Sequence, residues 1–158
     1  MKFFFLLLTN IFLQAFDNNS GQQYFKEKKY KQAYEIFLEQ VNKTKSASSQ
    51  NNLASMYKNG YFVKQNYKKA FDLYYKAAQM NHPNAQNNLA LMYINGFGVA
   101  QSYNEAFLWF SKAAKNNDAE SLYNLSILYK YGMGVDKNET LAQHNKQKAF
   151  EAGYNKDK

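Results

Sequence analysis

Ser55-Met56-Tyr57-Lys58 places a hydroxyl and an amine three residues apart. On a helix that spacing brings both side chains to one face. The amine could there activate the serine as a nucleophile. A second candidate is Leu89 to Ala100, LALMYINGFGVA, with Gly96 and Gly98 directly after an apolar run. Backbone N–H groups of such a glycine pair could cradle a phosphate. His82 and His144 are the two imidazoles, and Asp72, Glu105 and Glu120 stand among the twelve acidic residues. There is no cysteine, which excludes thiolate catalysis, thiolate metal sites and disulfides.

Each candidate has a plainer reading. Nine serines and twenty lysines produce about one Ser-x-x-Lys match by chance, and neither Ser-Asp-Asn nor Lys-Thr-Gly accompanies this one. The histidines are far apart in the chain, and the carboxylates are spread along it, so no metal, cofactor or catalytic residue is assigned. The glycine pair is not unique. LASMYKNGYFVK starts at Leu53 and LSILYKYGMGVD at Leu125, so Leu53, Leu89 and Leu125 are each 36 residues apart. A fixed period of that size marks a repeat architecture. A phosphate loop would not recur in step three times. The glycines are therefore read as helix ends and turns.

The elements follow from the register. Tyr57, Tyr93 and Tyr129 coincide, as do Gly60, Gly96 and Gly132, then Val63, Val99 and Val135. Ala70, Ala106 and Ala142 also match, and Lys76, Lys112 and Lys148 are each followed by alanine. Leucine and tyrosine four apart share one face of a first helix. Asn66, Ser102 and Asn138 are N-cap residues for a second helix, and Ser102 with Glu105 forms a capping box. Small residues after each leucine (Ala54, Ala90, Ser126) let the second helix approach closely. The first unit has Phe62 where the others have Gly98 and Gly134, which predicts a locally different turn there.

The pattern LxxxYxxGxGV…A…KAA resembles the Sel1-like repeat, a relative of the tetratricopeptide repeat. The resemblance spans residues 46–153 as units of about 46–81, 82–117 and 118–153. Upstream, residues 16–45 resemble a tetratricopeptide helix pair through Gly21, Tyr24, Tyr30, Ala33 and Phe37. Asn42 to Gln50 is expected to be the polar connection between that pair and the first full unit. The final helix, ETLAQHNKQKAFEAG, is polar where its counterparts are apolar and is expected to cap the array. Residues 154–158 are expected to fray. The implied fold is an all-α, right-handed solenoid of antiparallel helix pairs.

Composition agrees with this and narrows the function. Tyr and Phe number 14 and 13, suited to aromatic packing between helices, and there is a single proline. The net charge of +8 is carried entirely by lysine. Without arginine there is no bidentate reader of bases, so specific nucleic-acid binding is not expected. MKFFFLLLTNIFLQAF opens the chain with Lys2 ahead of an apolar run too short to span a bilayer. It fits a secretory signal peptide cut after Ala15. The expected product is an exported bacterial protein, periplasmic or secreted, monomeric and without a transmembrane segment.

The resemblance implies protein or peptide binding on the concave face of the first helices. In register with the tetratricopeptide pattern, that groove takes Asn51, Ser55, Lys58 and Asn59 from the first unit. The second contributes Asn87, Leu91 and Asn95. The third contributes Tyr123, Ile127, Lys130 and Tyr131. Asparagine amides suit an extended peptide backbone because they both donate and accept. Asp136 two places before Asn138-Glu139-Thr140 makes Asn138 the candidate glycosylation acceptor. The repeat also resembles a secreted, cysteine-rich branch of the family with members that bind or slowly hydrolyse β-lactams. A weak β-lactam-directed enzyme is therefore the alternative function. The cysteines that staple helices in that branch correspond to Ala78 and Gln86, and to Ala114 and Leu122.

Overall fold

The computed structural model describes residues 18–155. The expected signal segment, residues 1–15, lies outside them, as do the last three residues. Eight α-helices occur among the described residues. They are α1 (Asn18–Lys26), α2 (Tyr30–Thr44), α3 (Ala47–Asn59), α4 (Tyr67–Gln79), α5 (Pro83–Asn95), α6 (Tyr103–Ala114), α7 (Ala119–Tyr131) and α8 (Glu139–Glu151). There is no strand among the described residues. Each helix packs on the next in the chain, so the molecule is an all-α solenoid of helix pairs.

The helix ends are set by the residues that the repeat places there. Asn66, Ser102 and Asn138 each accept a hydrogen bond from the backbone N–H three residues on, satisfying a donor that the first turn leaves free. His82 and Asp118 do the same for α5 and α7. The His82 cap is Nδ1, an acceptor only while unprotonated, and burial holds its pKa below the ordinary value. Gly60, Gly96 and Gly132 close the first helices with φ of 73°, 67° and 67°. This is the left-handed cap that glycine adopts without strain.

Two expectations about connections are overturned. The link between the first pair and the first full unit is only residues 45 and 46, because α2 continues to Thr44 and α3 starts at Ala47. The polar stretch 42–50 is mostly helical; Ser46 caps α3 by accepting from the Ser49 N–H. The turn at Phe62 is not locally different either. Phe62 has φ of 65°, against 73° at Gly98 and 71° at Gly134. Its ring leans on Tyr34 with centroids 5.5 Å apart.

Within each unit, alanines set the spacing. Ala54, Ala70, Ala90 and Ala106 have no exposed surface, and Ala142 and Ser126 are buried. Beside them Leu53, Leu89 and Leu125 are buried, together with Met56, Met92 and Leu128 one helical turn on. Between units, aromatic rings make the contact. Tyr57, Tyr93 and Tyr129 each meet a ring of the preceding second helix edge-on: Tyr34 at 6.2 Å, Phe71 at 5.3 Å and Phe107 at 5.5 Å. Edge-to-face is the arrangement that the ring quadrupole favours. Tyr61 stacks on Tyr30 and Phe97 on Tyr67, at 4.7 and 4.4 Å. The last described helix, α8, buries only Ala142 and Ala149.

The turn after each first helix touches the preceding unit. A Cβ added at Gly98 would lie 2.4 Å from the Tyr67 carbonyl oxygen, and one at Gly134 would lie 2.3 Å from that of Tyr103. At Gly60 the nearest atoms would be 3.6 Å away, so only the backbone angle resists substitution. Gly60→Ala should therefore cost about 1 kcal/mol. Gly98→Ala adds a backbone collision and should cost about 2–5 kcal/mol. Urea unfolding of the two variants checks this; equal losses would show that the close approach at Gly98 is not there.

Candidate functional site

The first helices lie side by side through an asparagine ladder. Asn88 Nδ2 on α5 donates to Asn51 Oδ1 on α3 at 3.1 Å. One unit later, Asn124 Nδ2 on α7 approaches Asn87 Oδ1 on α5 at 3.4 Å. Asn87 is the junction. Its Oδ1 also accepts from Ser121 Oγ at 3.1 Å, and its Nδ2 donates to Glu120 Oε2 at 3.0 Å. The donors are Asn88 and Asn124; Asn52, in the same register, has Nδ2 buried with no acceptor. Tyr123 stands where Asn51 and Asn87 stand in the earlier units. In place of an amide, it offers a ring that stacks on Tyr154 with centroids 4.1 Å apart.

Three clefts with shared wall residues lie along this ladder. The first, about 300 Å³, lies between α3 and α5, with Lys58, Asn59, Asn88, Leu91 and Asn95 on its wall and Tyr67 and Phe97 at its base. The second, about 260 Å³, opens between α5 and α7 and includes Asn88, Asp118 and Glu120. The third, about 460 Å³, lies between Leu91, Glu120 and Asn124 and is closed by Gly153 and Tyr154. Asn88 is shared by the first two, Leu91 by the first and third, and Glu120 by the last two.

Lys58, Asn59, Leu91 and Asn95 thus come together on the first cleft. Asn51 borders it through Asn88, and Tyr123 borders the third cleft through Tyr154. Asn87 is placed otherwise than an open amide would be: it is only 4% exposed and its side chain is committed to the next unit. The amides of Asn59 and Asn95 donate to the carbonyls one turn back, those of Ser55 and Leu91. Ile127 is half-buried on α7, and Lys130 lies with its ammonium 5.3 Å from the ring of Tyr131 at the helix end. Tyr154, expected to fray with the tail, is docked, and its N–H donates to the Ala149 carbonyl. Burial, Tyr123 and the Glu120 charge raise its phenol pKa.

The sequence reading left Asn88, Asn124 and Glu120 out of the groove, noting Glu120 only among the scattered carboxylates. A signal was present: Asn52, Asn88 and Asn124 form one column at the 36-residue period. The contribution of Tyr154 carried no such signal, because it depends on how the chain leaves α8.

The catalytic alternative at Ser55 finds little in its surroundings. The Ser55 hydroxyl is hydrogen-bonded to the buried Tyr74 phenol and accepts from Asn59 Nδ2 at 3.3 Å. Burial drives the Tyr74 pKa well above the ordinary phenol range, so this phenol cannot serve as a base. Among the described residues, no group of three or more His, Asp or Glu side chains is placed to hold a metal. No helix among them is long and apolar enough to cross a membrane.

The paired helices, glycine caps and unit-to-unit aromatic contacts define a helical repeat protein. The chain belongs to the Sel1 repeat family, whose model matches residues 47–82, 83–118 and 119–154, one residue later than the sequence register. The fold generally mediates protein–protein interaction. A Sel1 repeat protein from Oxalobacter formigenes is similar at 36% identity and a TM-score of 0.80, over 87% of this chain and 56% of that one. A protective antigen of uropathogenic Escherichia coli strains, c5321, displays the same fold at 28% identity and a TM-score of 0.84. That match covers 94% of this chain and 33% of the antigen. The Helicobacter pylori cysteine rich protein B is similar at 27% identity and a TM-score of 0.59, over 77% of this chain and 91% of that one. The chain thus spans about half of the first of these and a third of the second. No curated protein matches it in sequence.

At Ala78 and Gln86, the pair that the sequence resemblance aligns with a staple, this chain has an amide contact. Gln86 Nε2 donates to the Ala78 carbonyl at 3.2 Å, tying α4 to α5 without a covalent bond.

The ladder supports a stability prediction. Asn87→Ala should cost about 1–3 kcal/mol, because it strands Ser121, Asn124 and Glu120 donors and acceptors. Asn95→Ala, exposed and bonded only within its own helix, should stay within about 0.5 kcal/mol. Denaturant melts compare them; equal losses would contradict the assignment of Asn87 as the junction.

Proposed function

We propose that this chain is an exported, monomeric interaction module that binds a partner protein or peptide along the groove formed by α3, α5 and α7. The observation that carries the reading is that the three clefts share the wall residues Asn88, Leu91 and Glu120. A strip of amides, with Leu91 at its centre, suits a peptide backbone and one apolar anchor. The groove is mostly preformed, since its wall residues are fixed by hydrogen bonds between units. Little ordering entropy is then lost on binding. Export rests on Lys2 and the apolar stretch that follows it. Asn138 is exposed at the start of α8, where a glycan could project, although its side chain also caps that helix.

Photo-crosslinking in the native host tests the reading. With benzoylphenylalanine at Leu91, one adduct of defined mass is expected. At Leu108, 53% exposed on the second helix α6, that adduct should be missing. Identical adducts at both positions, or none at Leu91, would overturn the groove. The intact mass of the same sample should lack residues 1–15. Any further mass assigned to a glycan should vanish in Asn138→Gln.

A further inference from the structure

We infer that the α7 end of the groove accepts a cationic side chain, lysine or arginine, from an extended partner peptide. The inference rests on the groove being a peptide site, and it assigns the chemistry of one end. The protein carries a net charge of +8. Yet among the described residues the charged ones lining the two clefts at α7 are Asp118 and Glu120, with no lysine. The cleft at α3 is the opposite, with Lys58 as the one charged wall residue among the described residues. The groove is thus cationic at one end and anionic at the other.

Three features of the α7 end suit an ammonium or guanidinium group. Glu120 receives a neutral donor, Asn87 Nδ2, on one oxygen, which positions the carboxylate without neutralising it. Among the described residues Glu120 makes no ion pair; the ion pairs present are Lys29–Glu27, Lys43–Glu39 and Lys68–Asp72. The Tyr154 ring, held on Tyr123, lines the same cleft and offers a π surface to a cation. The cleft volume of about 460 Å³ leaves room for a long basic side chain. An acidic side chain would meet the Glu120 carboxylate there, with Asp118 on the adjoining cleft, and is disfavoured by repulsion. Charge arranged in this way selects partner and orientation more than it adds affinity.

The test uses the ¹⁵N-labelled chain and two capped pentapeptides at low salt, Ala-Lys-Leu-Lys-Ala and Ala-Glu-Leu-Glu-Ala. The lysine peptide should give saturable shifts at the amides of Glu120, Asn124 and Tyr154, and the glutamate peptide should not. Glu120→Gln, which keeps an acceptor for Asn87, should weaken the lysine peptide about three- to tenfold. Lys76→Gln, exposed on the second helix α4 and outside the groove, should leave its affinity unchanged. Equal shifts from both peptides, or an unaltered affinity in Glu120→Gln, would overturn the inference. Shifts that follow protein dilution rather than peptide would instead make a second copy the occupant and also overturn it. If these fail while the Leu91 adduct forms, the charge assignment falls alone; if that adduct also fails, the groove falls with it.

Discussion

The solenoid depends on how closely one unit can approach the next. At Gly98 and Gly134 the turn after a first helix rests on the backbone at the start of the preceding second helix, nearer than any side chain permits. That approach fixes the distance between units. It brings Tyr93 and Tyr129 edge-on to Phe71 and Phe107. It also brings neighbouring first helices within hydrogen-bond reach of each other, so that Asn88 meets Asn51 and Asn87 meets Ser121. The clefts are what remains between those helices. The clefts are therefore tied to a contact that lies on the turns, away from their walls.

Much of this was legible in the sequence, for a physical reason. Helix ends are local: a glycine that must take positive φ, or an asparagine that caps three residues on, leaves its mark within one turn of chain. The periodic leucines and alanines identified both helices of each unit because burial imposes the helical period on them. What escaped was non-local. Phe62 keeps a positive φ that its residue type resists, because the whole turn is held by the unit around it. Asn87 reads as a groove amide by register, yet it is buried because the next unit brings Ser121 and Glu120 to it. Met56, Met92 and Leu128 belong to the core as firmly as the periodic leucines, but their changing identity hid the column.

α8 turns a polar face outward and buries little. Tyr123, which stands where Asn51 and Asn87 offer amides, is covered by the ring of Tyr154. The same substitution of ring for amide changes the groove from a polar strip at α3 and α5 to an aromatic and acidic cleft at α7.

Coupling between units is the central claim, and a double-mutant cycle between Phe71 and Tyr93 measures it most directly. Leucine replaces each residue singly and together, and the four proteins are unfolded in urea. An edge-to-face pair across the unit boundary predicts a coupling energy of about 0.5–1.5 kcal/mol. Additive losses, with coupling below about 0.3 kcal/mol, would contradict the account.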